Sequence, residues 1–185
     1  MRNPFLVGKC LYLRPLEEGD VERCQRWIND PEVRRWITRC FPVGYRQEAE
    51  WLQRQYTSPT DIVLAIVLKE GDKHIGNCGL HKIDYTSGRA ILGIVIGEPD
   101  YRGRGYGPEA MSLLLDYAFG ELRLHRVELE VFSYNQRALR AYRKLGFREE
   151  GRKREAHFYR GSFHDIVIMG ILEREWSERH PEDGV

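Results

Sequence analysis

A short glycine-rich stretch is the part of the sequence with the clearest capacity for chemistry. It reads Tyr-Arg-Gly-Arg-Gly-Tyr-Gly over residues 101–107 and lies just before a strongly helical pattern. Glycine lets backbone N–H groups face a ligand without an obstructing Cβ, and the start of a helix adds unpaired N–H donors with a partial positive charge. The stretch therefore predicts a phosphate or pyrophosphate site, with an ordinary glycine-rich turn as the alternative.

Two common nucleotide-binding motifs do not fit this spacing. A P-loop ends in Gly-Lys-Ser/Thr, whereas Pro108 and Glu109 follow Gly107 here. The dinucleotide fingerprint places two residues between its last two glycines, whereas one residue separates Gly105 from Gly107. The phosphate predicted at the loop therefore belongs to a different kind of ligand.

Further motifs along the chain resemble one family in their order. Arg-x-x-Gly-x-Gly at 102–107 resembles the acetyl-CoA pyrophosphate motif of the GNAT superfamily of N-acetyltransferases. Asn-x-x-Ala-x-x-x-Tyr-x-x-x-Gly-Phe at 135–147 is similar to its second signature. Leu-Arg-Pro-Leu at 13–16 and Gly-x-x-x-Asp at 161–165 resemble the ribosomal-protein-alanine N-acetyltransferase (RimJ/RimL-like) branch. Together these motifs cover nearly the whole chain.

The resemblance implies an acetyl-CoA-dependent N-acetyltransferase that moves the acetyl group directly to a primary amine in a ternary complex. It implies an α/β (α+β) fold with a mixed, mostly antiparallel sheet of about seven strands, flanked by helices and splayed at the acetyl-CoA site. The residues implied to bind the cofactor are Ile94, Val95, Ile96, Arg102, Gly103, Arg104, Gly105, Tyr106, Gly107, Asn135, Arg137, Ala138, Arg140 and Tyr142.

The strand over residues 90–96 is implied to bind the pantetheine arm through its backbone. Gly93 and Gly97 suit a strand that bends or is closely approached. A backbone N–H there would polarise the thioester carbonyl. The alternative is that Ile91, Ile94 and Ile96 are simply core residues.

The resemblance implies three candidate catalytic residues. Tyr142 occupies the position of a general acid that protonates the departing sulfur, and packing on its helix is the alternative. Glu130 is the first candidate base, although it shares a strand face with Glu128 and both then suit a solvated edge. Glu98 is the second candidate base, and a chain of water molecules is the third alternative.

Charged side chains on the second-signature helix suggest contacts with the cofactor. Arg137, Arg140 and Arg143 recur every three residues and suit the 3′-phosphate of CoA, with a solvated helix face as the default for Arg143. Asn135 binds the cofactor, caps the helix, or does both. The histidines show no metal-ligand spacing, and His81 is the best candidate among them for a substrate contact.

The acceptor amine is expected between the early helices and the hairpin at 158–164. Trp36 and Phe41 are candidate pocket walls, whereas Trp27 suits the core. Arg34, Arg35 and Arg39 make this region basic, which disfavours a polyamine and tolerates a peptide terminus. The favoured acceptor is a protein N-terminal α-amine. The alternatives are a small-molecule amine, amino acid or polyamine, and a non-catalytic acyl-CoA-binding regulatory domain.

Composition limits the remaining function classes. The 185 residues carry 29 Lys and Arg against 28 Asp and Glu, so a general nucleic-acid-coating protein is excluded. The four cysteines form no zinc or disulfide pattern and suit buried, reduced thiols. No apolar run is long enough to cross a bilayer. We therefore expect no metal, nucleic-acid or membrane partner, a cytoplasmic location and a homodimer by family.

The elements that position these residues follow from periodicity. One domain is predicted over 1–185, with an ordered core at about 9–176 and a polar tail at 177–185. Strands are predicted at 9–16, 61–69, 73–83, 89–97, 126–132, 147–159 and 163–172. A helix that Asp20 caps is predicted to run to Ile28. Further helices are predicted at 32–37, 47–56, 109–122 and 136–145.

Overall fold

Eight strands form an open, mostly antiparallel sheet flanked by helices in the computed structural model, which describes residues 1–38 and 41–180. The order of hydrogen-bonded neighbours is β1-β2-β3-β4-β5-β6-β8-β7, and the pair β5–β6 is parallel. The strands are β1 Leu6–Val7, β2 Leu11–Pro15, β3 Ile62–Leu68, β4 His74–Asp84, β5 Arg89–Ile96, β6 Arg126–Phe132, β7 Arg148–Tyr159 and β8 Ser162–Leu172.

Six α-helices accompany these strands in the described residues. They are α1 Val21–Asn29, α2 Pro31–Arg34, α3 Tyr45–Thr57, α4 Tyr106–Asp116, α5 Gln136–Leu145 and α6 Glu173–Ser177. Short 3₁₀ turns occur at Glu18–Asp20, Glu70–Asp72 and Pro99–Tyr101, and a π-helical turn at Tyr117–Glu121 follows α4. The mixed α/β prediction is confirmed, and β6 and α5 have the predicted bounds.

Three predicted elements need correction. The sheet has eight strands, not about seven, because β1 precedes the first predicted strand and pairs with β2 through Leu6 and Leu13. The helix predicted at 109–122 begins three residues earlier, since proline is tolerated in a first turn, and its end is π-helical. Asp20 makes no side-chain cap bond to α1, because its carboxylate is paired with Arg14 instead.

One compact unit comprises Met1–His81 and Gly93–Leu114. It holds the strands β1–β3, most of β4, the C-terminal half of β5 and the helices α1–α3. A buried cluster that includes Trp27, Leu52 and Val67 lies between these helices and strands, and Val95 packs against it. The apolar sequence of β3, Ile-Val-Leu-Ala-Ile-Val-Leu, is typical of a strand buried on both faces.

The second compact unit comprises Lys82–Leu92 and the described chain from Leu115 onward. In β6, the buried Val127, Leu129 and Val131 alternate with Glu128 and Glu130, as a strand with one covered face requires. The chain divides into these two compact units, and the prediction of one domain over 1–185 stays a prediction.

The tail and the cysteines are partly described. Of the tail predicted at 177–185, residues 181–185 lie outside the described residues, while His180 stacks on Trp176 with 3.8 Å between the ring centroids. Cys24 and Cys78 are buried as predicted, but Cys10 is exposed because it precedes β2. Arg39 and Cys40 lie outside the described residues.

In the part of the chain that the structure describes, each helix is too short or too polar to cross a membrane.

Candidate functional site

The glycine-rich loop has the backbone that its sequence predicts. Gly103 and Gly105 have φ values of 77° and 91°, a left-handed conformation that favours glycine, and open space surrounds the position of a Cβ at both. Helix α4 begins at Tyr106, so Gly107 lies in its first turn, where backbone N–H groups lack helical partners. The loop therefore presents unobstructed donors that suit a pyrophosphate.

Arg102 has a different immediate role from the predicted one. Its guanidinium donates from Nε to the Ile96 carbonyl at 3.0 Å and from one terminal nitrogen to the Gly97 carbonyl at 2.6 Å. The same group lies 3.6 Å from a carboxylate oxygen of Asp30. Arg102 thus holds the end of β5 in place, and its contact with a phosphate stays a prediction. The Arg104 guanidinium lies 5.7 Å from the centre of the Tyr101 ring.

Strand β5 changes character along its length. Its parallel pairing with β6 covers Arg89–Ile91, and its N-terminal residues Ala90 and Leu92 are buried. Ile94, Val95 and Ile96 are only partly buried. A Cβ built at Gly97 would lie 2.0 Å from Trp27 Cδ2, so glycine is required there by the indole ring. The predicted close approach at Gly97 is confirmed, and its cause is Trp27.

A pocket of about 550 Å³ lies beside the end of β5. The lining residues are Arg26, Trp27, Asn29, Asp30, Gly97, Glu98 and Pro99. The Glu98 carboxylate accepts a hydrogen bond from Trp27 Nε1 at 3.0 Å and pairs with Arg26 through the same oxygen. The Arg26 side chain is 65% exposed, so an incoming cation can replace it beside Glu98. The pocket therefore suits a positively charged small ligand.

Helix α5 carries the second-signature residues. The Asn135 side chain accepts a hydrogen bond from the Ala138 backbone N–H at 3.2 Å, which confirms its predicted capping role. Tyr142 lies in the last turn, with its ring centroid 6.1 Å from that of Phe147. Burial raises the pKa of the Tyr142 phenol to about 12, although the charge of Arg137 acts in the opposite direction. The phenol thus keeps its proton at neutral pH, as a general acid must.

The arginines of α5 lie on a solvated face. Arg137, Arg140 and Arg143 are all exposed. Arg143 is 3.3 Å from a carboxylate oxygen of Glu149, which supports the default interpretation for that residue. A contact of Arg137 or Arg140 with the 3′-phosphate stays a prediction.

The first candidate base is engaged elsewhere in the structure. Glu130 is exposed and forms an ion pair with Lys153 of β7. Glu128 accepts two hydrogen bonds from Arg126, at 3.0 and 3.2 Å. Both carboxylates therefore form the solvated acidic edge considered from the sequence, and a base role for Glu130 stays a prediction.

Sequence reasoning missed two contacts. The first is the bond between Trp27 and Glu98, since Trp27 was assigned only to the core. The second joins His81 Nδ1 to Asp61 Oδ1 at 3.0 Å. The sequence signal for the second was the polar run Ser-Pro-Thr-Asp before β3, which is typical of a turn with side-chain hydrogen bonds. Of the predicted pocket walls, Trp36 is partly buried under Arg35, while Phe41 is 79% exposed.

The predicted site residues thus form two groups. The first unit brings together Glu98, the partly buried end of β5 and the glycine-rich loop. The second unit holds Asn135, Tyr142 and Glu130. Within residues 1–38 and 41–180, no three His, Cys, Asp or Glu side chains are arranged to hold a metal ion.

Comparison with known proteins identifies a family and several similar relatives. Residues 11–148 match the family described as acetyltransferase (GNAT) domain. The chain is 30% identical over 173 residues to the spermidine N(1)-acetyltransferase of Escherichia coli strain K12, covering 93% of this chain and 91% of that protein. It is also 30% identical over 178 residues to the Bacillus subtilis protein YdaF, whose name marks it as a candidate ribosomal N-acetyltransferase, covering 92% and 95%.

A solved structure gives the same result. The chain resembles the spermidine N-acetyltransferase of Vibrio cholerae in complex with CoA and spermine, with a TM-score of 0.84 and 26% identity. The match covers 90% of this chain and 97% of that one.

Proposed function

The chain belongs to the GNAT acetyltransferase family and is an acetyl-CoA-dependent N-acetyltransferase, and from that premise we propose that its acceptor is a small-molecule primary amine. The observation that carries the proposal is the pocket in which Glu98 and Asp30 present carboxylates beside Trp27. An ammonium group is recognised by carboxylates, and an alkyl chain by an aromatic wall. Relatives named for spermidine acetylation support the same acceptor class.

The basic region at Arg34, Arg35 and Arg39, which disfavours a polyamine in the sequence, carries less unpaired charge than the sequence suggests. Arg35, one of the three arginines of that region, is ion-paired with Glu32 at 3.0 Å. Arg34 is exposed on α2. Glu98 is paired with Arg26, whose side chain is 65% exposed, so a cationic amine that displaces Arg26 would meet the Glu98 carboxylate. Spermidine is therefore the first amine to test.

A protein N-terminal α-amine is the second candidate function. The relative YdaF favours it, as does the exposed Arg34, which suits an acidic or neutral peptide. The RimJ/RimL-like branch, a homodimer and a cytoplasmic location stay predictions.

In the proposed reaction, the amine nitrogen attacks the thioester carbonyl and the sulfur leaves with a proton. Acetyl-CoA is the co-substrate. The unobstructed N–H groups of the loop at 101–107 bind its pyrophosphate, and backbone groups of Ile94–Ile96 bind its pantetheine arm. Tyr142 supplies the proton to the sulfur, since the raised pKa of its phenol keeps that proton in place until charge develops.

The test is a competition among acceptors. The full chain is incubated with labelled acetyl-CoA and a pool of spermidine, other small primary amines, amino acids and peptides with free N-termini, and products are identified by mass spectrometry. We expect kcat/KM for the best small amine to exceed that for any peptide by at least about tenfold, which corresponds to about 1.4 kcal/mol. Exclusive acetylation of peptides would establish the second candidate, and binding of acetyl-CoA without any transfer would establish a non-catalytic domain.

The Glu98→Gln variant tests the pocket directly. We expect it to raise KM for the amine about tenfold while acetyl-CoA binding stays unchanged, because it removes the negative charge and keeps the side-chain shape. Glu70→Gln, a change at an exposed glutamate far along the chain from the pocket residues, is the matched control. An unchanged KM for the amine would remove Glu98 from the acceptor site.

A further inference from the structure

A histidine–aspartate pair lies beside β5 without a role in the proposed reaction. His81 is in β4 and Asp61 directly precedes β3. The antiparallel register of these strands places Ile62 opposite Leu80, so the residues next to them become neighbours. His81 Nδ1 and Asp61 Oδ1 are 3.0 Å apart.

Asp61 is fixed by several groups. Its second carboxylate oxygen accepts hydrogen bonds from the Ser58 hydroxyl at 2.8 Å and the Thr60 hydroxyl at 3.1 Å. Burial alone would raise the pKa of Asp61, but the hydrogen bonds from Ser58, His81 and Thr60 outweigh it and hold the pKa below its usual range. An ionised carboxylate only accepts, so His81 Nδ1–H is the donor and the neutral ring carries its lone pair on Nε2.

The free nitrogen of His81 faces the backbone of β5. A Cβ built at Gly93 would lie 3.2 Å from His81 Nε2 and 3.3 Å from Cδ2, so a side chain there would crowd the imidazole. Among residues 1–38 and 41–180, the structure shows no hydrogen-bond partner for Nε2. The absence of a side chain at Gly93 therefore brings Nε2 close to the strand.

The imidazole lies on the same face of β5 as the amine pocket. Gly93, Val95 and Gly97 alternate along the strand and so share a face. Trp27 covers Gly97, and Val95 packs against the cluster that contains Trp27. His81 and Trp27 thus lie over one face of this segment, at Gly93 and Gly97 respectively, and Trp27 donates a hydrogen bond to Glu98.

The proposed binding mode puts the reacting end of the co-substrate near Gly93. The pyrophosphate lies at the loop that follows β5, so the pantetheine arm runs back along Ile96, Val95 and Ile94. The thioester is the far end of that arm. It therefore lies towards Gly93, the residue beside His81 Nε2.

We propose that His81 is the catalytic general base and that Asp61 is its positioning residue, an inference that rests on the proposed function. The amine enters as an ammonium ion, and Nε2 takes one proton so that the nitrogen lone pair can attack the thioester carbon. The C–N bond forms, the C–S bond breaks, and the sulfur takes one proton from the acid. The nitrogen then loses its second proton, which restores the acid. The His81 side chain is 36% exposed, so its proton passes to water after each turnover.

His81 fits this task better than the two glutamates considered from the sequence. One Glu98 oxygen is occupied by both Trp27 and Arg26. Glu130 is paired with Lys153. The imidazole retains an unshared nitrogen, and Asp61 stabilises the imidazolium that forms.

The His81→Gln variant and two nucleophiles test the proposal. Spermidine, or the panel amine with the highest rate, must lose a proton before attack, whereas hydroxylamine is already uncharged at neutral pH. We expect kcat/KM for the alkyl amine to fall about 10²-fold at pH 7.5, while hydroxylamine is acetylated nearly as well as by the wild type. His125→Gln, at an exposed histidine, is the matched control and leaves both rates unchanged.

The pH profile separates a base from a structural residue. Asp61, with Ser58 and Thr60 behind it, is the charged group that faces the His81 ring. In His81→Gln the rate depends on the concentration of uncharged amine. The difference in kcat/KM between the variant and the wild type therefore narrows steadily from about pH 7 towards the amine pKa near 10.4. Asp61→Asn is expected to reduce kcat with little change in KM.

The outcomes distinguish the two proposals. Equal losses with both nucleophiles, or a deficit that persists unchanged at high pH, would assign His81 a structural role. An unchanged rate in His81→Gln would overturn the base and leave the acetyltransferase intact. A wild-type protein that acetylates hydroxylamine but no amine would overturn the small-amine function alone. In that case the rate of acetyl-CoA hydrolysis tests His81, and this rate falls in His81→Gln if His81 is the base. A wild-type protein that acetylates neither nucleophile would overturn both.

Discussion

Single residues determine how the proton leaves and returns in the proposed reaction. The surroundings of Tyr142 favour its protonated form, so that the phenol can donate a proton but does not accept one. The Tyr142 ring lies near that of Phe147, and burial raises the pKa of its phenol, so that the protonated form predominates. A departing thiolate has an ordinary pKa near 8.5, so proton transfer to it is needed only as the C–S bond breaks.

The Tyr142→Phe variant tests this role. We expect kcat to fall about 10²-fold with the acetyl-CoA dissociation constant nearly unchanged, because the ring stays in place and only the hydroxyl is lost. Steady-state kinetics and calorimetric titration with acetyl-CoA measure the two quantities. Tyr85→Phe, at an exposed tyrosine, is the control. Since a pKa of about 12 leaves the wild-type phenol protonated, we expect no fall in kcat between pH 7 and 10 that depends on Tyr142. An unchanged kcat in Tyr142→Phe would contradict the assignment.

At the scale of elements, a contact between α1 and the end of β5 shapes the proposed amine pocket. Trp27 of α1 lies against Gly97 just after β5, and its indole N–H fixes Glu98. Arg102 holds the same strand end through the carbonyls of Ile96 and Gly97. The pocket wall therefore depends on a glycine that admits the indole and an arginine that satisfies two carbonyls.

The Gly97→Ala variant is expected to weaken this contact. A methyl group would lie 2.0 Å from Trp27 Cδ2, so the indole or the strand must shift, and overpacking of this kind costs about 1–3 kcal/mol in unfolding free energy. Urea denaturation measures that loss, and amine KM should rise as Glu98 moves. Gly120→Ala is the matched control, because open space surrounds its Cβ position. A Gly97→Ala protein as stable as the wild type would contradict the packing argument.

The same scale shows what the sequence could and could not predict. β6 and α5 were predicted correctly because each carries a strong, uninterrupted periodicity and, for α5, an asparagine cap and a glycine stop. β1 was missed because two residues carry no period. The glycine-rich loop was predicted because its residues are adjacent in sequence. The pair of His81 and Asp61 was missed because 20 positions separate them, and only the β3–β4 register joins them.

At the scale of the whole molecule, a buried polar network links sequence-distant segments of the first unit. Asp20 accepts hydrogen bonds from both terminal nitrogens of Arg14, at 2.7 and 2.9 Å, and lies 3.0 Å from His74 Nδ1. Burial would raise the pKa of Asp20, but the bonds from His74 and Arg14 prevail and hold the pKa well below its usual range. Folding therefore favours the ionised form of this carboxylate.

The sign of the resulting pH dependence follows from that lowered pKa. An unfolded aspartate titrates near 3.9, so the stabilisation by Asp20 is complete above about that pH and is lost as the pH falls towards the lower folded value. Glu149 and Glu150 also have lowered pKa values through bonds from Arg152 and Arg126, although they are more exposed and contribute less. We expect the melting temperature to be nearly constant from about pH 6 to 8 and to fall steeply below about pH 4.

The Asp20→Asn variant identifies the source of that fall. It leaves the buried Arg14 without its counter-charge, so we expect a loss of about 3–5 kcal/mol at neutral pH and a shallower dependence on pH in acid, since the group that titrates is gone. Thermal unfolding followed by circular dichroism from pH 8 to 3 measures both effects, with Asp100→Asn, at an exposed aspartate, as the control. If the variant loses as much stability between pH 6 and 3 as the wild type, the acid sensitivity arises from other carboxylates and the network does not control it.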